Sequence, residues 1–242
     1  MFARQMTALA RAGWRALTLE QFSERLRLDG AVLRVPRYEF LLTFDDGYAS
    51  LADQAFPVLA DLGFTATTFL ITDFIGRTNT WDVRYTWRRL DHLAWPAIER
   101  WKGRGFDFGS HSATHPRLTW LGNERVSDEL YRSRVALVER LGADAGRAVA
   151  YPFGAANATT ARWAECHGFA LGFAGARGDP ADNYRLPRVP VYLWDAGNTP
   201  LGLRRDWLGA AGRLVAHLAN RCAAGTSMML GLRRKQRAGS RT

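Results

Sequence analysis

The chain has 242 residues, 47% hydrophobic and 23% charged, with a formal net charge of +10. That length can bury a sizeable core without disulfides or a structural metal, and the composition is that of one globular domain with at most a short tail. No apolar run approaches the roughly 18 residues of a membrane-spanning helix, and two cysteines, Cys166 and Cys222, outside any C-x-x-C pair, exclude a disulfide framework. Both cysteines read as small buried thiols. The N-terminus carries Arg4, Arg11 and Arg15 without a continuous apolar stretch, so it does not read as a secretory signal. The expectation is a cytoplasmic protein as the sequence stands, and an extracytoplasmic one if a longer start encodes an export signal.

The basic residues are all arginine except Lys102 and Lys235. Much of the excess sits in residues 231–242, where Arg233, Arg234, Lys235, Arg237 and Arg241 meet no acid. No RNA-binding signature, zinc-finger spacing or basic zipper accompanies it, so a nucleic-acid partner is not expected. Residues 223–242 read as a solvated, disordered tail behind a domain spanning 1–222.

Residues 3–12 and 18–28 read as helices, the first with Met6, Leu9 and Ala10 at helical spacing. Residues 39–45 form a short apolar run ending in acids, a buried strand. A helix at 50–62 ends at Gly63, and the β-branched stretch 65–72 makes a second strand. After a loop at 73–82, residues 84–102 read as helical, with Pro96 starting a new turn or kinking the old one. Residues 106–111 suggest a third strand. The stretch 123–141 is amphipathic and is closed by Gly142. Strands at 147–152 and 169–174 flank a helix at 156–167. A sixth strand at 187–193 precedes a last helix at 205–221. This alternation predicts an α/β fold, a parallel sheet or a (β/α) barrel.

Polar residues gather at the predicted strand ends: Asp45 and Asp46 after the first, Thr72 and Asp73 after the second, His111 after the third. In (β/α) barrels that is where the chemistry lies. Asp45-Asp46-Gly47 places two adjacent carboxylates at the end of a buried strand, where they repel unless a cation or proton intervenes. By itself the pair reads equally as an acidic turn closed by glycine. His111 and His115, four residues apart, can present both imidazoles to one side, a common way to hold zinc. The bland alternative is a polar loop with a capping Ser or Thr. One carboxylate and two imidazoles make a facial set that leaves coordination positions open, and the spare carboxylate is then a candidate general base.

TFDDGY (43–48), SHSATHP (110–116) and YPFG (151–154), in that order, resemble the motifs of the polysaccharide deacetylase, or NodB-homology, family (carbohydrate esterase family four). The similarity spans roughly residues 1–220 and includes PVLADLGFTATTFLIT (57–72) and RVPV (188–191). The resemblance implies an irregular (β/α) barrel of about seven strands. It implies Asp46, His111 and His115 as ligands of a divalent metal, zinc first, with cobalt, nickel or manganese as alternatives. It implies Asp45 as the base and the backbone N–H of Phe153 as an oxyanion donor. Tyr151 and Pro152 of the third motif are candidates for substrate contact. The implied reaction removes N-acetyl groups from the amino sugars of a polysaccharide or glycoconjugate.

Two departures stand out. The family often pairs its catalytic Asp with an Arg two residues before the third-motif Pro, where this chain has Ala150. Arg188 of RVPV is the candidate to approach Asp45 from another strand instead. The family's late Leu-x-His, whose imidazole protonates the leaving amine, is absent. His217, His92 and His167 all fall in predicted helices and read as helix residues. Trp81 closes a loop where it would either stack on a sugar ring or pack into the core. The competing function is a carbohydrate-binding or exopolysaccharide-assembly protein that keeps the metal triad without turnover.

Overall fold

The computed structural model describes residues 1–29, 38–79 and 89–191. Trp81, His217, Cys222, the last helix, the end of the sixth strand and the domain–tail boundary lie outside the described residues.

Helix α1 (Phe2–Arg11) buries Met6 and Leu9. Strand β1 (Arg15–Ala16) leads into helix α2 (Leu19–Asp29). Helix α2 starts where Thr18 and Gln21 form a reciprocal cap, each backbone N–H donating to the other's side chain. Strand β2 (Glu39–Phe40) pairs with β1, and β3 (Thr43–Phe44) begins a separate sheet. The run expected as one strand over 39–45 is therefore divided between two sheets. A π-turn over Leu51–Ala55 precedes helix α3 (Phe56–Asp61), whose first turn holds Pro57, a residue with no N–H to donate.

Strand β4 (Thr67–Leu70) is buried throughout. Helix α4 (Trp95–Lys102) is shorter than the expected 84–102, because Pro96 begins it. Strand β5 (Asp107–Ser110), helix α5 (Asn123–Leu141), strand β6 (Ala148–Ala150), helix α6 (Ala158–Cys166) and strand β7 (Leu171–Phe173) complete the alternation. The main sheet runs β3-β4-β5-β6-β7, every neighbour parallel and each pair joined through a helix. This is the curved half of a (β/α) barrel, and all its strands end on the same rim.

Beyond β7, Leu186 makes a parallel bridge to Phe173, but residues 187–191 form no strand. Pro187 and Pro190 explain why, since neither donates to a ladder. The main core lies between the sheet and helices α1, α3 and α4. Phe56, with no exposed surface, packs against Phe44, Trp101, Phe106 and Phe108 there. Cys166 corrects the expectation of buried thiols: it is exposed at the end of α6. No helix among the described residues is long and apolar enough to cross a membrane.

Candidate active site

The C-terminal rim of the sheet carries the polar residues. Asp45 and Asp46 follow β3, His111 follows β5, and Tyr151 follows β6. Five non-glycine residues among those described have positive φ, and four of them are here: Asp46 (69°), Ser112 (64°), His115 (61°) and Phe153 (62°). Each costs on the order of 1–3 kcal/mol, and such strain persists only where surrounding contacts fix it.

Those contacts are specific. Asp46 and Gly47, both left-handed, reverse the chain after β3, and a Cβ on Gly47 would meet Leu70 Cδ2 at 2.5 Å. His92 Nδ1 donates to the Asp46 carbonyl at 2.7 Å, and Leu93 N–H donates to the Gly47 carbonyl at 2.8 Å. His92 is thus not the helix residue the sequence suggested: it lies in a short antiparallel bridge to Tyr48 and pins the DDG turn. Burial pushes the His92 pKa down, so its neutral tautomer is the donor.

The second loop is held from α5. Glu129, buried, accepts the N–H groups of Ala113 (3.0 Å) and Thr114 (2.8 Å) on one oxygen and the Thr114 hydroxyl on the other. Ser133 bonds Ser110, whose hydroxyl accepts the Ser112 N–H, and Ser112 accepts the His115 N–H at 3.0 Å. Glu129→Ala leaves one buried and one half-buried N–H group unmet and is expected to cost about 3 kcal/mol. That corresponds to a fall in Tm of roughly 6–12 °C for a domain of this size, readable by calorimetry. An unchanged Tm would show that the clamp is dispensable.

The result is a compact donor set. Asp46 Oδ1 lies 3.5 Å from His111 Nε2 and 3.4 Å from His115 Nε2. One ligand atom from each residue fits within 4.8 Å of the others. His111 donates its Nδ1 proton to the Ala150 carbonyl at 2.7 Å, which leaves Nε2 with its lone pair. Burial pushes the His111 pKa down and the His115 pKa down to about 2, so both imidazoles are neutral at pH 7. A carboxylate oxygen and two neutral imidazole nitrogens suit a divalent cation.

Asp45 faces a different partner. Arg188 forks both of its oxygens, Nη1 to Oδ1 at 2.6 Å and Nη2 to Oδ2 at 2.8 Å. Burial would raise the Asp45 pKa, but the guanidinium, helped by the neighbouring histidines, holds it well below the usual carboxylate range. Arg188 is itself fixed by the Ala174 carbonyl and the Thr43 hydroxyl, and its guanidinium lies over the Phe69 ring. It therefore reaches from the β7 side of the half barrel to β3 and supplies the cation that Ala150, with only a methyl group at the end of β6, cannot.

The third motif is placed in part as expected. Phe153 is 42% exposed, and its ring packs on His115 with centroids 4.8 Å apart. The N–H groups of Gly154 and Ala155 bond to Tyr151 and Pro152 carbonyls, while the Phe153 N–H makes no hydrogen bond among the described residues. Tyr151 and Pro152 correct the expectation of substrate contact. Tyr151 has no exposed surface and donates its hydroxyl to the Tyr184 carbonyl at 2.8 Å, and Pro152 is buried beside it. Both support the Phe153 turn from beneath. Trp81 lies outside the described residues.

Sequence reasoning missed His92 and Glu129. Glu129 had a signal: it falls on the same helical face as Val126, Leu130 and Leu137, where an acid has no reason to be buried without partners. His92 had none, because its role depends on a backbone carbonyl.

A parallel sheet ending on a carboxylate–imidazole donor set, with a second carboxylate forked by arginine, is a candidate metal centre of the kind that (β/α) folds build at strand ends. The sequence model of the family described as polysaccharide deacetylase matches residues 34–172, and the chain belongs to that family. YxkH of Bacillus subtilis is 28% identical over 78% of this chain and 63% of its own length. The poly-β-1,6-N-acetyl-D-glucosamine N-deacetylase of Staphylococcus epidermidis is 31% identical over 73% of this chain and 61% of its own. The chain therefore spans less than two thirds of the length of these curated relatives. The solved structure of IcaB from Ammonifex degensii superposes with a TM-score of 0.68 at 27% identity, covering 80% of this chain and 84% of that one.

Proposed function

We propose that this protein is a metal-dependent hydrolase that removes N-acetyl groups from amino sugars of a polysaccharide, with a poly-β-1,6-N-acetylglucosamine as the first substrate to try. The observation that carries this reading is the division of labour between adjacent carboxylates. Asp46 joins the two imidazoles, while Asp45 is turned to Arg188. The family and the S. epidermidis relative supply the substrate class.

A divalent ion held by Asp46, His111 and His115 would supply Lewis-acid polarisation of the acetyl oxygen and a more acidic water. Asp45 accepts the proton of the attacking water, kept ionised and oriented by the Arg188 fork. The Phe153 N–H donates to the oxygen of the former carbonyl as charge develops on it. As the carbon–nitrogen bond breaks, the departing nitrogen takes the proton Asp45 has gained and leaves as an amine, and the acetic acid formed gives its remaining proton to solvent or to that amine and departs as acetate. That return step gives Asp45 both roles where no late Leu-x-His is present.

The experiment is acetate release from N-acetylglucosamine oligomers by the zinc-loaded chain. Arg188→Ala frees Asp45 to turn away, and misplacement of a reacting group costs on the order of 10²-fold. The expected result is a fall in kcat with KM and metal content little changed. Turnover equal to wild type would remove Arg188 from the mechanism.

A further inference from the structure

The chain leaves the donor set at His115 and runs through Pro116 and Arg117 into a 3₁₀ turn, Leu118–Trp120. Leu118 has no exposed surface and anchors that turn in a cluster with Val126, Leu130 and Tyr151. The Trp120 and Leu121 N–H groups close it onto the Arg117 and Leu118 carbonyls. Trp120 is therefore carried on fixed backbone, yet it is 56% exposed, where a tryptophan is highly buried on average.

The ring is oriented as well as exposed. The Arg117 guanidinium lies over it, 5.0 Å from its centroid, and 6.0 Å from the Phe153 centroid. With one face backed by that cation, the exposure of the indole comes from its opposite face and rim. Phe153, also exposed, packs in turn on His115. A row of side chains thus leads outward from the donor set: His115, Phe153, Arg117, Trp120. Phe153 and Arg117 stand between the donor set and the indole, so a ring lying on Trp120 is not the one whose acetyl group is cut.

The chemistry of the platform fits a sugar. In β-linked N-acetylglucosamine the ring substituents are equatorial, so each face of the pyranose is a sheet of C–H groups. Such a face packs flat on an indole, while the hydroxyls around its edge stay in water. We infer that Trp120 is the stacking platform for a second sugar residue of the polymer, and that it makes the enzyme favour chains over short fragments. The inference rests on the deacetylase reading above. A stack far from the reacting carbon is made equally in the ground and transition states, so it acts on KM rather than on kcat.

The test compares the β-1,6-linked N-acetylglucosamine monomer, dimer and pentamer with the zinc-loaded full chain. The expected result is a kcat/KM that rises with length. Trp120→Ala lowers the pentamer value roughly fivefold through KM, the scale of one aromatic stack, and leaves the shortest substrate turned over unchanged. Trp120→Gln, a second variant without a ring, behaves alike, and Trp120→Phe keeps most of the gain. Thermal melting and zinc content check that fold and donor set are intact. Calorimetry with the metal-free chain shows pentamer binding weakened by the same factor in Trp120→Ala. Equal kcat/KM on all lengths in wild type, or a loss in the ring-free variants that is the same on every length, overturns the platform alone. No acetate from any length overturns the deacetylase reading, and unchanged pentamer binding in Trp120→Ala then overturns the platform as well.

Discussion

Asp45→Asn lowers acetate release by about 10²–10⁴-fold, the usual worth of a general base, while the bound metal stays. Asparagine keeps the size and shape of the side chain but cannot accept the proton. The Asp46, His111 and His115 donors all remain, because the substitution alters only the carboxylate that Arg188 forks. One complication is physical: the substitution leaves the Arg188 guanidinium beside a neutral amide. Breaking a buried pair can cost ~3–5 kcal/mol, less here because a third of the Asp45 side chain is exposed. The double variant Asp45→Asn/Arg188→Met removes that stranded charge. If it is as stable as wild type and equally inactive, the loss is chemical. If Asp45→Asn retains most of the turnover, the base lies elsewhere.

His115→Ala is the second large effect. It removes one of three donors and also the ring on which Phe153 rests. Lewis-acid stabilisation is worth several kcal/mol, so its loss lowers turnover by about 10³-fold or more. Metal content measured on the purified variant falls in parallel, which Asp45→Asn does not share. The contrast between the two variants separates holding the ion from moving the proton. Turnover lost with metal content unchanged would reassign His115 to substrate contact.

Much of this arrangement was legible in the sequence for a simple reason. Parallel strands between helices leave a strong period, and strand ends in such sheets collect polar residues. Asp45, Asp46, His111 and His115 could therefore be placed on one rim before any coordinates. The Asp45–Arg188 pair was legible only as a question, raised by Ala150. Its answer depends on the chain after β7 passing close enough to β3 for one long side chain to touch Ala174, Thr43 and Asp45 together.

Other readings failed because local pattern was overruled by partners distant in sequence. The apolar run 39–45 reads as one strand, yet its two halves pair with different neighbours. The stretch before Pro96 reads as helix, yet Asp91 and His92 instead bridge to Thr78 and Tyr48. Tyr151 sits in a motif that suggests substrate contact, but its hydroxyl is spent on the Tyr184 carbonyl. None of these partners announces itself by spacing.

The most direct measurement is acetate release from a poly-β-1,6-N-acetylglucosamine oligomer by the zinc-loaded chain, by the same preparation after chelation, and after zinc is restored, with metal content measured each time. The account predicts about one ion per chain, acetate release that disappears with the ion, and recovery when it returns. Full acetate release in the metal-free state would contradict the role given to Asp46, His111 and His115. Stoichiometric metal and oligomer binding without any acetate release would make this a carbohydrate-binding protein instead.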